Sequence, residues 1–199
     1  MPRSDPTPNA SRPRGPTREA LDAARGGLVP DLIAPGLKVL FCGINPSLYS
    51  AVVGHHFARP GNRFWPALHA AGITPRRFSP GEGEALVALG YGITNVVDRA
   101  TATADELSAG EFPEGGRRLA AKVRRYRPAC VAVLGVTDYR AAFGRKQAAP
   151  GPQPETLAGA RLWVLPNPSG LNAHYQIADL GLLFAELRAA VEGHGPSAP

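Results

Sequence analysis

Polar side chains suited to hydrolytic chemistry stand where three apolar runs end. The run Val39-Leu40-Phe41-Cys42 breaks at Gly43-Ile44-Asn45-Pro46-Ser47, leaving one carboxamide, Asn45, on a stiff loop. Gly43 lets the chain turn where a side chain would obstruct, and Pro46 ends strand pairing and biases Asn45 towards extended backbone. A neutral amide is a poor proton acceptor but can orient a water molecule. The second run, Gly92-Ile93-Thr94-Asn95-Val96-Val97, ends at Asp98. That carboxylate suits a base, or an electrostatic partner for a cationic transition state. It suits equally a structural pairing with a neighbour such as Arg99, or a helix cap. The third, Leu162-Trp163-Val164-Leu165, gives way to Pro166-Asn167-Pro168-Ser169-Gly170-Leu171-Asn172 ahead of a helix whose free N–H groups attract phosphate. The loop after Asn45 adds His55, His56, Phe57 and Arg59. Two adjacent histidines are weak evidence for a metal and read as loop or phosphate-contacting residues.

These groups need a scaffold that brings distant strand ends together. Val39–Cys42 and Ala129–Leu134 are unbroken apolar runs, as expected of parallel strands buried on both faces. Strands at 92–97 and 162–165 alternate with helical patterns. Phe64, Leu68 and Ala71 share one face of a helix ended by Gly72, and Ser79-Pro80-Gly81-Glu82 is a capping box opening a helix to Leu89. The segment 115–127 places Leu119, Val123 and Tyr126 inward and Arg118, Lys122 and Arg125 outward; short and long helices follow at 138–143 and 175–191. The stretch 45–62 reads as a long functional loop and 144–154 as a Gly/Pro-rich surface loop. The pattern predicts an α/β fold of three layers, α/β/α, around a central, mainly parallel sheet of about four strands. In such a sheet the ends carrying Asn45, Asp98 and the 167–172 loop open on one edge, where ligands bind.

Composition bounds the partners. With 199 residues, 44% of them hydrophobic, the chain fits one globular domain, and no apolar run approaches membrane-spanning length. Residues 1–27 hold five prolines and five arginines with almost no large apolar side chain and are expected to be a disordered basic arm. One folded domain is then expected over 28–192, and a disordered tail over 193–199. The formal charge of +6 favours polyanionic partners. Cys42 and Cys130, each inside an apolar run, read as buried reduced thiols, and the cytoplasm is the expected compartment.

Four motifs carry a specific resemblance: Gly43-Ile44-Asn45-Pro46-Ser47; His56 to Trp65; Gly92 to Asp98; and Asn167-Pro168-Ser169-Gly170-Leu171-Asn172. In this order, across roughly residues 34–190, the chain resembles the mismatch-specific uracil-DNA glycosylases, bacterial relatives of thymine-DNA glycosylase. The resemblance implies hydrolysis of the bond joining uracil, or a related damaged pyrimidine, to deoxyribose in duplex DNA containing G·U or related mispairs. The base must first leave the stack, most cheaply from a mispair. By the same resemblance Asn45 positions the attacking water, and Phe57 stacks on the base. Backbone N–H groups at Ile44 and Phe57 read its edge. Gly170, Leu171 and Asn172 form a wedge into the duplex, and Asn167 and Ser169 contact phosphate. Tyr49 and Ser50 are placed near the base's 5-position, with ordinary packing as the other reading.

Two positions depart from the family. Ala173 stands where relatives carry an arginine after the wedge, with His174 next as a DNA-contacting candidate, and Ser47 replaces a frequent glycine. The resemblance implies no metal and no cofactor, a monomer, and a nucleoid-associated cytoplasmic location. Two other readings are a non-catalytic DNA-damage binder and a Rossmann-type nucleotide-binding module, although the latter's Gly-x-Gly-x-x-Gly is missing after the first strand. The cofactor-free reading predicts base release from a G·U duplex without added metal and at an undiminished rate in excess chelator; loss of release under chelation would overturn it.

Overall fold

The computed structural model describes residues 15–193. A short helix, α1 (Arg18–Ala23), precedes the first strand, β1 (Val39–Gly43), followed by α2 (Leu48–Val53), α3 (Phe64–Ala70) and α4 (Gly83–Ala88). Next come β2 (Tyr91–Asn95), α5 (Glu111–Tyr126), β3 (Cys130–Leu134), α6 (Val136–Phe143), β4 (Gly151–Leu157), β5 (Ala160–Leu165) and α7 (Ile177–Glu192). The sheet has five strands in the order β2-β1-β3-β5-β4. All neighbours are parallel except β4, which pairs antiparallel with β5 at the edge.

Side-chain alternation along β1 builds the layers. Val39 and Phe41 join one buried cluster with Phe64 and Leu68 of α3, Leu86 of α4, and Leu180, Phe184 and Leu187 of α7. Leu40 and Cys42 join the other, with Leu119 and Val123 of α5 and Tyr139 of α6. Phe41 is fully buried, with its ring centroid 5.3 Å from Phe64 edge-on and 5.6 Å from Phe184 in a stack. Burying one such side chain stabilises by roughly 1.5–3 kcal/mol. Both cysteines are free and buried, in opposite clusters across the sheet, and burial raises both thiol pKa values.

The expected three-layer, mainly parallel architecture is present, with a fifth strand in addition. Strand β4 occupies part of the stretch read as a surface loop. Pro152 and Pro154 disguise it, since proline donates no ladder hydrogen bond and is tolerated only at a sheet edge or a bulge; the pairing slips between Pro152 and Thr156. The 45–62 stretch is not all loop. Ser47 accepts the Ser50 N–H at 3.1 Å and caps α2, which ends at left-handed Gly54. The expectation of disorder over 1–27 needs correction for its described part, 15–27: Thr17 caps α1, which packs on α2. Tertiary contact supplies what the composition lacks. Residues 1–14 and 194–199 lie outside the described residues.

Topology sets the site. From β1 the chain crosses to β2 on one side through α3 and α4 on one face, then to β3 on the other side through α5 on the opposite face. The carboxyl ends of β1 and β3 therefore diverge into a crevice, the switch point at which open α/β sheets bind ligands. Helix α5 sits tightly on this frame: a Cβ at Gly115 would collide with the carbonyl oxygen of Val96. Gly115→Ala should cost about 1–3 kcal/mol by overpacking, a fall of roughly 2–4 °C per kcal/mol in Tm for a domain of this size. A melting scan showing no change would mean that α5 shifts freely.

Candidate active site

A cleft of about 360 Å³ opens at this switch point. Its wall comprises Gly43 to Ser47, Ser50, His56, Phe57, residues 101–105, Leu134, and the tip residues Asn167, Ser169 and Leu171. Asn45 is held from one end. Its Nδ2 donates to the Thr101 hydroxyl at 2.7 Å and the Arg99 carbonyl at 3.1 Å, with the Pro46 carbonyl at 3.3 Å. The Thr101 hydroxyl in turn donates to the Thr103 carbonyl at 2.7 Å, so its lone pairs face Asn45. These partners assign the amide: nitrogen outward to the loop, oxygen without a protein donor among the described residues. The residue is thus a fixed acceptor on the cleft wall, suited to orient a water rather than deprotonate it.

The loop carrying Asn45 is stitched to the chain after β2. The Val96 and Val97 N–H groups donate to the Gly43 and Ile44 carbonyls at 2.9 and 2.8 Å, and Thr101 N–H to the Pro46 carbonyl at 3.2 Å. Gly43 is required here for close approach, since a Cβ would lie 2.6 Å from Asn95 Oδ1 and 3.2 Å from the Phe57 ring. Phe57 has φ of 53°, unusual for an aromatic residue, and its ring stacks 4.2 Å from that of Phe64. Ser50 is buried and accepts the Ala58 N–H at 3.3 Å, so it holds the turn bearing Phe57.

Asn95 and His56 form a second fixed amide. The His56 Nε2 lies 2.9 Å from the Pro30 carbonyl, which can only accept, so Nε2 carries the proton and Nδ1 is the acceptor. Asn95 Nδ2 stands 3.4 Å from that Nδ1. Its oxygen is left over Gly43, at the cleft floor. Burial lowers the His56 pKa, which keeps the ring neutral and the amide in this sense. His56 is only 2% exposed, so it supports the loop from within and does not face a phosphate.

At the mouth, Leu171 is 75% exposed on a loop closed by its own side chains. Asn167 Oδ1 accepts the Ser169 N–H at 3.0 Å, and the Ser169 hydroxyl accepts the Leu171 N–H at 3.3 Å. Asn172 is used at both ends, accepting the His174 N–H at 3.1 Å and donating to the Asn167 carbonyl at 3.0 Å. Its amide is therefore committed to the loop. Asn167 and Ser169 keep their amide nitrogen and hydroxyl proton for other partners. Gly170 and His174 are exposed beside them.

Of the residues singled out from sequence, Ile44, Asn45, Ser50, Phe57, Asn167, Ser169 and Leu171 meet at the cleft. Tyr49 and Asp98 do not. Tyr49 turns towards Gly15. Asp98 is 3.3 Å from Lys122 Nζ and 3.9 Å from Arg118 Nε, away from the cleft wall, while Arg99 pairs with Glu111 at 2.6 Å. Lys122, expected to face outward, is instead turned in to Asp31 at 2.7 Å and the Thr94 hydroxyl at 3.0 Å. Helical periodicity alone could not show carboxylates arriving from two other segments. Asn95 and Thr101 were missed as site residues; the signal was a carboxamide inside an otherwise apolar strand run.

Comparison with known proteins agrees with this fold. A family model of the uracil DNA glycosylase superfamily matches residues 30–188, and the chain belongs to that superfamily. Among solved structures, the fold is similar to a solution NMR structure from Methanosarcina acetivorans that carries the provisional name uracil DNA glycosylase. The TM-score is 0.52 at 16% identity, covering 82% of this chain and 98% of that one.

Thr101→Val removes the hydroxyl that anchors Asn45 while keeping the shape. Losing such a hydrogen bond, at about 0.5–1.5 kcal/mol, should slow base release under single turnover by roughly 2- to 13-fold with DNA affinity unchanged. An unchanged rate would show that the two backbone carbonyls suffice.

Proposed function

We propose that the protein is a monofunctional glycosylase that releases uracil from mispaired duplex DNA and leaves an abasic site. The observation that carries this reading is the singly presented Asn45 oxygen, facing a cleft that also holds a stacking ring and a protruding leucine. The uracil lies against Phe57 after leaving the duplex, and Leu171 fills the space it vacates. A water held by Asn45 Oδ1 attacks the sugar C1′ as the C1′–N1 bond breaks. The electron pair goes to the uracil ring, where donors at Ile44 and Phe57 stabilise it as an oxyanion hole does. The water's surplus proton passes to solvent.

Asn95 supplies base selectivity in this reading. Its fixed oxygen accepts the uracil N3–H, whereas cytosine presents a lone pair at N3 and leaves both acceptors unpaired. A mispair lowers the cost of extrusion, which favours G·U over A·U. Membership of the superfamily supports a DNA substrate, as do the positive net charge and the exposed Arg59 at the cleft. We extend the reading to a monomer working at the nucleoid.

The test is single-turnover release from a labelled G·U duplex, with abasic sites cleaved by alkali. Wild type should release uracil. Asn45→Ala should lose on the order of 10²-fold or more by losing the positioned water, with mismatch binding retained. Binding without release in the wild type would identify a damage binder instead. Asp98→Asn should retain release and lower Tm, because Asp98 serves the Lys122 cluster; a large loss of rate would return it to the catalytic machinery.

A further inference from the structure

The loop bearing Leu171 has no helix or strand of its own, and beyond its own side-chain hydrogen bonds one side chain from elsewhere ties it to the rest of the fold. Arg63, the residue before α3, donates through Nη1 to the carbonyls of Ser169 at 3.3 Å, Asn172 at 2.7 Å and Tyr175 at 2.9 Å, and Nη2 approaches the Gly170 carbonyl at 3.5 Å. Its backbone N–H donates to the Pro168 carbonyl at 2.8 Å. The two loops also touch directly, since a Cβ at Gly170 would lie 2.6 Å from the Gly61 carbonyl. Arg63 has no carboxylate partner among the described residues. Its charge is therefore spent on backbone oxygens, where charged hydrogen bonds are about twice as strong as neutral ones.

We propose that Arg63 is the positioning residue for strand insertion: it pre-orders the 168–175 loop so that Leu171 projects before DNA arrives. Two consequences follow from the geometry. First, the ordering entropy of the loop is met in folding, so it is not charged against base extrusion. Second, drawing carbonyl oxygens inward removes their negative ends from the face that meets phosphate and leaves the guanidinium charge beneath it. A lysine can satisfy fewer of these carbonyls, because it lacks the rigid planar fork.

This inference rests on the glycosylase reading, and the experiment separates the two. Single-turnover release from G·U duplex is compared for wild type, Arg63→Gln, Leu171→Ala and the double variant. Fluorescence of 2-aminopurine placed beside the uracil reports unstacking on binding, independently of release. Arg63→Gln should lose roughly 10- to 100-fold in release, as expected for hydrogen bonds from a charged group, with a matching loss of the 2-aminopurine signal. Arg63→Lys should fall between Arg63→Gln and wild type. The double variant should be no slower than the slower single variant, because both act through one loop. Additive losses, or an Arg63→Gln variant with full signal and rate, would overturn the proposal. So would an Arg63→Lys variant as slow as Arg63→Gln and equally lowered in Tm, which marks general support of the fold. A wild type that unstacks 2-aminopurine yet releases nothing would defeat the glycosylase reading and leave this one standing.

Discussion

The arrangement of the cleft depends on how one amide is satisfied. Asn45 Nδ2 has the Thr101 hydroxyl and the Arg99 and Pro46 carbonyls around it, all from segments that leave the sheet at its carboxyl edge. Because the Thr101 proton is already committed to Thr103, the sense of the amide cannot reverse without leaving acceptors facing acceptors. An amide free to rotate would present nitrogen and oxygen alternately to a water. This one presents oxygen only. The stitching of the Gly43, Ile44 and Pro46 carbonyls to the 96–101 chain holds the backbone that makes the contact possible.

Close backbone approach does the rest. Asn95 and Phe57 crowd over Gly43 because nothing there projects into them, and the loop bearing Leu171 meets the 61–63 turn because residue 170 has no side chain. The sheet supplies rigidity underneath: β1 is fully buried between helices on both faces, so the loop that follows it departs from a fixed point. Phe57, strained at positive φ, keeps its place through the stack on Phe64 and the hydrogen bonds of its neighbours. Strain of this kind, of order 1–3 kcal/mol, persists where surrounding contacts over-determine the backbone.

Charge is divided between two places. Asp31, Asp98 and Lys122 form a half-buried cluster that ties the chain before β1 to α5 and to Thr94 of β2. Arg63 carries a charge held by carbonyls alone, and Arg59 is exposed at the cleft mouth. The same residue types thus pair with opposite charges in one place and with backbone oxygens or solvent in the other. Solvent-exposed pairs such as Arg117 with Glu114 contribute little to either.

The sequence by itself determined the three-layer class, the buried central strands, the Ser79–Glu82 capping box, and a polar edge built from Asn45 and the 167–172 loop. Those features rest on local rules: strand period, capping chemistry, and the breaks imposed by glycine and proline. It determined neither β4 nor α1, because edge prolines and a basic, polar composition speak locally against structure that pairing and packing then impose. The position of Asp98 and the inward turn of Lys122 were likewise decided by tertiary contact, since Asp98 meets Arg118 and Lys122 of α5 while Lys122 meets Asp31 from before β1. Thr101, Asn95 and Arg63 acquire their meaning only in three dimensions. A side chain's hydrogen-bond sense depends on partners brought from 56 to 112 residues away, as with Asn45 beside Thr101 and Arg63 beneath Tyr175, and no local pattern records that.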